Sequence, residues 1–152
     1  MSDGAAAIRA ALSEVMDPEL PMVSIVDLGM IGGVTVDHAT GAIAVELLPT
    51  FVGCPALELI RAAATDRLAP FDAPVRVDTT FRIPWTSDRI TPAGQAALTA
   101  AGIAGPSAPD AVRCPYCASA RVVMDSAFGP TQCRSLHYCR DCRQPFEAMK
   151  SV

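Results

Sequence analysis

Long apolar runs are missing from this chain. Its 152 residues are 51% hydrophobic, but they are scattered, and no stretch is long enough to span a bilayer. The first residues, MSDGAAAIRA, lack a basic start followed by an apolar stretch, so no secretory signal is expected. In an unexported chain, six cysteines read as metal ligands or reactive thiols and not as disulfides. A cytoplasmic location is the expectation. Paired Glu-x-x-His motifs that would build a di-iron bundle are absent, as is a Gly-rich nucleotide loop. No internal repeat is present. A basic stripe is lacking too. Residues 1–112 carry 6 basic and 13 acidic side chains, and residues 113–152 carry 6 and 3, for a net −4 overall. Four thiolates around a divalent ion would bring the tail close to neutrality, so nothing here is an electrostatic footprint for nucleic acid.

What is present is a pair of Cys-x-x-Cys knuckles, Cys114/Cys117 and Cys139/Cys142, separated by 21 residues. That spacing is slightly above the ~15–20 of an ordinary zinc ribbon. Each knuckle can turn two thiolates toward one ion, and two knuckles complete a tetrahedral set of soft ligands. The tail has few large apolar residues, so the metal would replace much of its missing core. Cys133 is a fifth tail cysteine. It could substitute for a knuckle member, but Cys139-Arg-Asp-Cys142 already forms a complete turn, so a spare buried thiol is expected. His137 is expected to pack or face solvent and not to ligate.

Ahead of the tail the patterning predicts an α+β domain in the order α-β-β-α-β. Ile8, Ala11, Leu12 and Val15 recur at helical spacing over 4–16, with Ser2 or Asp3 as cap and Asp17-Pro18 as stop. Strands are predicted over 31–37 and 42–48 around a His38–Gly41 turn. A helix is predicted over 55–68. A third strand is read in the alternation of Val75, Val77, Thr79, Phe81 and Ile83 with polar neighbours. A short helix over 91–101, against which Trp85 would pack, closes the domain. The expected boundaries are 1–103 for the domain, 104–112 for a Pro/Ala linker and 113–152 for the ribbon.

Cys54 lies between a strand end and a helix start, in PTFVGCPAL. With Pro55 at the first helical position it would be the N-cap, where unpaired amides and the helix dipole favour a thiolate. The alternative is a small residue filling the corner. Asp17, Glu19 and Asp27 in the preceding loop could support metal or proton chemistry near a thiolate. Capping and turn formation are their ordinary uses.

The phrases DPELPMVSIVDLGMI, PTFVGCPALELI and IPWTSDRITPAGQAAL resemble the SufT-like iron–sulfur assembly family over about residues 6–103. With the ribbon and its FGPT-x-C phrase added, the whole chain resembles the PaaD family, accessory proteins of the bacterial phenylacetyl-CoA epoxidase system. One departure is Ala118, where a glycine often follows the first knuckle. The resemblance implies a non-catalytic role in maturing metallocentres, either the di-iron oxygenase or the [2Fe–2S] reductase. Cys54 would be the reactive position, with Asp17, Glu19 and Asp27 in support. It implies structural zinc on Cys114, Cys117, Cys139 and Cys142, and transient iron or an iron–sulfur cluster as cargo. The implied partners are the oxygenase and reductase subunits or iron–sulfur assembly proteins, with self-association left open. An electron-transfer or structural subunit, with iron or zinc in the ribbon, is the alternative.

Overall fold

The computed structural model describes residues 2–108 and 110–152, so residue 109 of the expected linker lies outside the described residues. The chain forms two compact units, one ending at Trp85 and the other beginning at Thr86. The closing helix and the expected linker therefore fall in the second unit by their packing. Among the described residues, no helix is long and apolar enough to cross a membrane.

The first unit opens with helix α1, Ser2–Leu12. The cap expected from the Ser2 side chain lies outside what is described. The helix stops four residues short of the predicted end. Glu14 and Val15 bond back only three residues, to the carbonyls of Ala11 and Leu12, and the Ser13 hydroxyl bonds the Ala10 carbonyl. Such local bonds compete with the helical ladder. Ile8, Leu12 and Val15 are nevertheless buried as the pattern requires. The long loop that follows is core-packed, burying Leu20, Val23, Ile25, Leu28 and Met30.

Strands β1 (Ile31–Val36) and β2 (Ile43–Leu47) form an antiparallel hairpin. Asp37 starts its turn, with Oδ1 accepting from the amides of Ala39 at 2.7 Å and Thr40 at 3.1 Å. Helix α2 (Leu57–Leu68) buries Ile60, Ala64 and Leu68. It carries the chain over to β3 (Val75–Thr79), which pairs parallel to β2. The sheet order is β1-β2-β3. The predicted alternation of the third strand ends early. Val77 is buried, but Phe81 and Ile83 lie beyond the strand and are exposed. Trp85 is buried, and its indole N–H donates to the Leu28 carbonyl at 2.8 Å, which anchors it to the loop before β1.

The second unit begins with helix α3 (Pro92–Ala100), capped by the Thr91 hydroxyl accepting from the Gly94 amide at 3.0 Å. Four strands follow: β4 (Ile103–Ala104), β5 (Val122–Ser126), β6 (Arg134–Cys139) and β7 (Pro145–Met149). Their order in the sheet is β4-β7-β6-β5. β4 runs parallel to β7, and the other neighbours are antiparallel. The core is small: Ala104, Val112, Phe146 and Ala148 close around Cys114 and Cys139. His137 is buried, stacked on Phe146 at 5.5 Å between ring centroids, with Nε2 2.9 Å from the Ser135 hydroxyl. Of the two expected roles, packing or solvent exposure, it takes the first.

Candidate metal centre and reactive thiol

The hairpin ends of the second unit bring the two knuckles face to face. The first lies just before β5, and the second spans the turn from β6 into β7. The sulfurs of Cys114, Cys117, Cys139 and Cys142 all lie within 4.8 Å of one another. The contacts between Cys114 and Cys142, and between Cys117 and Cys139, are both 3.6 Å. A tetrahedron with ~2.3 Å metal–sulfur bonds has edges of about 3.8 Å, so the four thiols fit a single ion. Among the described residues, this is the only group of three or more cysteine, histidine or carboxylate side chains so gathered.

Backbone amides surround the sulfurs. Tyr116 donates to Cys114 at 3.4 Å. Ser119 donates to Cys117, Asp141 and Cys142 to Cys139, and Gln144 to Cys142. Every sulfur is thus served by the residue two positions further on. This repeat makes the knuckles equivalent. The amides of Cys142 and Asp141 draw the Cys139 thiol down to about 7. Burial, then the neighbouring thiols of Cys114 and Cys139, pushes Cys142 up to about 12. Cys117 is also raised: its Ser119 amide favours the thiolate, but burial and the thiols of Cys139 and Cys114 prevail. Four thiolates cannot coexist here without a cation, and a metal ion displaces their protons.

The knuckles are also tied to each other. Asp141, inside the second, binds the Ser119 hydroxyl with one carboxylate oxygen and Arg121 Nη1 at 2.5 Å with the other. The Arg140 amide donates to the Arg121 carbonyl at 2.8 Å. Sequence reading did not single out Asp141. Its place within Cys-x-x-Cys was visible, but its partners lie 20 and 22 residues away in sequence. Cys133 lies outside the cluster, its sulfur 3.0 Å from the Thr131 hydroxyl, and it is half-buried where a buried thiol was expected.

Cys54 sits half-buried in the turn between β2 and α2. The expected N-cap role needs correction. The helix starts at Leu57 with Ala56 as its capping residue, and Cys54 instead accepts the Leu57 amide on its carbonyl at 3.3 Å. Gly53 makes this turn at φ +76°, with open space where a side chain would stand. The Leu48 amide bonds the Met30 carbonyl at 2.7 Å. The loops carrying Cys54 and Asp27 therefore leave the same end of the sheet. Asp27 is half-buried, its amide donating to the Ser24 hydroxyl. Asp17 is buried, and its Oδ1 accepts from the amides of Glu19 at 2.7 Å and Leu20 at 3.1 Å. That is the capping use. Glu19 is half-buried beside it.

Comparison with known proteins matches two parts of the chain to two different families. Residues 5–79 match the family described as iron–sulfur cluster assembly protein, and residues 100–150 match the PaaD zinc beta ribbon domain. A crystal structure of a domain of unknown function, DUF59, from Bacillus anthracis is 28% identical, covering 62% of this chain and 91% of its own, with a TM-score of 0.58. A conserved hypothetical protein from Thermotoga maritima is 26% identical, covering 60% and 88%, with a TM-score of 0.51. Across both units, an Escherichia coli (strain K12) protein named as a component of 1,2-phenylacetyl-CoA epoxidase is 37% identical over 95% of this chain and 92% of its own length. An iron–sulfur assembly unit joined to a four-cysteine ribbon, matched nearly end to end by that relative, places this chain in the PaaD family.

Proposed function

We propose that this chain is a cytoplasmic maturation factor for the metallocentres of a phenylacetyl-CoA epoxidase system, serving either its di-iron or its [2Fe–2S] component. The observation that carries this reading is the union, in one chain, of an iron–sulfur assembly unit bearing Cys54 with the ribbon of the epoxidase-linked family. The Cys54 thiolate holds iron or a small iron–sulfur cluster as cargo. Transfer is ligand exchange without redox change. The bond from cargo to the Cys54 sulfur breaks, a bond to the sulfur or oxygen of a client thiol or carboxylic acid forms, and the proton that group loses passes to the Cys54 thiolate. Asp27, at the same end of the sheet, and the Asp17–Glu19 loop are the carboxylates proposed to support that step. The ribbon holds zinc on Cys114, Cys117, Cys139 and Cys142 as a closed structural site. Its four thiols are fully coordinating and leave no open position for a substrate. The partners are the oxygenase and reductase subunits or the assembly proteins that load this factor.

The test is Cys54→Ser in cells growing on phenylacetate. The variant should fold and keep its ribbon metal, growth should fail, and a di-iron or [2Fe–2S] client isolated from those cells should be metal-poor. Purified mature epoxidase and reductase should turn over without this chain. A fully metallated client, together with a reconstituted reaction that needs this chain in every turnover, would overturn the proposal in favour of an electron-transfer or structural subunit.

A further inference from the structure

We infer that Asp141, acting with Ser119 and Arg121, is a latch that holds the two knuckles closed and sets how slowly the ribbon gives up its metal. The latch requires only metal occupancy of the four thiols and is independent of the maturation role.

Three observations converge on it. First, the carboxylate bridges the knuckles at the point where they meet. One oxygen binds the Ser119 hydroxyl and the other binds Arg121 Nη1 at 2.5 Å, while the Ser119 hydroxyl also accepts the Arg121 amide at 2.9 Å. Second, two of the bridged residues also present their amides to sulfurs. Asp141 donates to Cys139, and Ser119 donates to Cys117. These two sulfurs come from opposite knuckles and lie 3.6 Å apart. Parting the latch therefore moves both amides with respect to their sulfurs. Third, Cys117 is the exposed member of the set, while Cys114 and Cys139 are buried and Cys142 is half-buried. A competing chelator or protein thiol reaches the ion from the Cys117 side, where the latch stands.

Asp141 and Arg121 are themselves 40% and 70% exposed. Ion pairs this exposed contribute little to global folding. Their effect should instead fall on local opening of the cage, because partners outside the ligand set orient the ligands and typically change metal affinity 10–100-fold. Asp141 is thus a positioning residue. It touches no metal and acts through the amides of its own knuckle and its neighbour.

The experiment uses the full-length protein loaded with zinc and chased with excess chromophoric chelator. The proteins compared are wild type, Asp141→Ala, Ser119→Ala, Arg121→Gln and the double variant Asp141→Ala/Arg121→Gln. Asp141→Ala should release zinc about 10-fold faster or more. The double variant should be no faster than Asp141→Ala, since the two side chains act as one unit. Raising salt to about 1 M, where the screening length falls to about 3 Å, should speed release from wild type but not from Asp141→Ala. The cobalt-substituted proteins should keep one common four-thiolate absorption spectrum, which a collapsed site would not. Release within twofold of wild type in Asp141→Ala, or an unchanged salt dependence in that variant, overturns the latch and leaves the metal site standing. A wild type that binds no zinc or cobalt overturns the four-thiol reading, and the latch with it.

Discussion

Ala118 and Arg143 occupy the same backbone position, one past the second cysteine of each knuckle, and both are left-handed, at φ +62° and +60°. The departure from glycine noted at Ala118 is therefore repeated, unannounced by any pattern, at Arg143. A side chain in this region costs roughly 1–2 kcal/mol relative to the right-handed alternative. The turn is held because each knuckle must close: Ala118 donates to the Cys114 carbonyl at 2.9 Å, and Cys139 donates to the Gln144 carbonyl at 3.0 Å. Ala118→Gly and Arg143→Gly should each stabilise the metal-loaded second unit by about 1 kcal/mol, less whatever the looser unfolded chain takes back. Denaturant unfolding at constant zinc measures this. A midpoint that falls in both variants would mean that the strain is absent.

The ligand set is tested by metal content. Cys114→Ser, and equally a serine at Cys117, Cys139 or Cys142, should lower bound metal to well below one ion per chain and unfold the second unit, whose small core is built around Cys114 and Cys139. Cys133→Ser should retain metal, because its sulfur points to Thr131 and lies outside the cluster. Elemental analysis of purified variants decides, and metal loss in Cys133→Ser with retention in Cys139→Ser would reverse the assignment.

Asp17 separates a structural from a chemical use of the loop carboxylates. Its oxygen accepts two backbone amides from a buried position. Asp17→Ala should then destabilise the first unit by roughly 1–3 kcal/mol, the cost of leaving those amides without an acceptor. Asp17→Asn keeps an acceptor and should cost much less. If thermal unfolding shows the two variants alike and near wild type while activity in cells is lost, the carboxylate works on cargo and not on the turn.

The turn between β1 and β2 should carry a pH signature. The amides of Ala39 and Thr40 hold the Asp37 carboxyl below its ordinary 3.8. A carboxyl depressed on folding stabilises the fold above its unfolded value, and that stabilisation is lost as pH falls through the lower folded value. The loss should therefore be confined below about pH 4. Asp37→Asn should flatten the acid limb of the stability curve and lower neutral stability by the same small amount. An acid limb identical to wild type would place the titration elsewhere.

Gly129 tests the FGPT-x-C loop. A Cβ there would stand 2.8 Å from the Arg134 carbonyl oxygen, a backbone atom that cannot swing away. Gly129→Ala should destabilise the second unit by about 1–3 kcal/mol. Unfolding midpoints measure it, and an unperturbed midpoint would mean that the loop can open.

Much of this was readable in advance because it was local. The His38–Gly41 turn lies between the two hairpin strands, the helix expected over 55–68 forms over Leu57–Leu68, and the cysteine spacing named the four thiols that cluster. The misreadings share a cause. The strand at Phe81 and Ile83 looked continuous because alternation says nothing of where the neighbouring strand ends, and β2 ends at Leu47, opposite Thr79. Cys54 looked like a cap because Pro55 suits a first turn, but the chain spends two more residues entering α2. The bond from Trp85 to Leu28 and the bridge from Asp141 to Arg121 join positions far apart in sequence, and no local signal announces either partner.

The parallel pairing of β4 with β7 has a consequence for biosynthesis. Ile103 meets Glu147, 44 residues later. At a synthesis rate of about 5–20 residues per second, β4 waits roughly 2–9 seconds for its sheet neighbour to emerge. The first knuckle waits for a shorter time, about 1–5 seconds for the 25 residues from Cys117 to Cys142, holding two thiols with no opposing pair. During that interval Cys114 and Cys117 are open to oxidation or to capture of the wrong ion. Metal loading of the ribbon thus waits for the second knuckle to emerge, and oxidant or copper stress should damage the newly made protein before it harms the mature one.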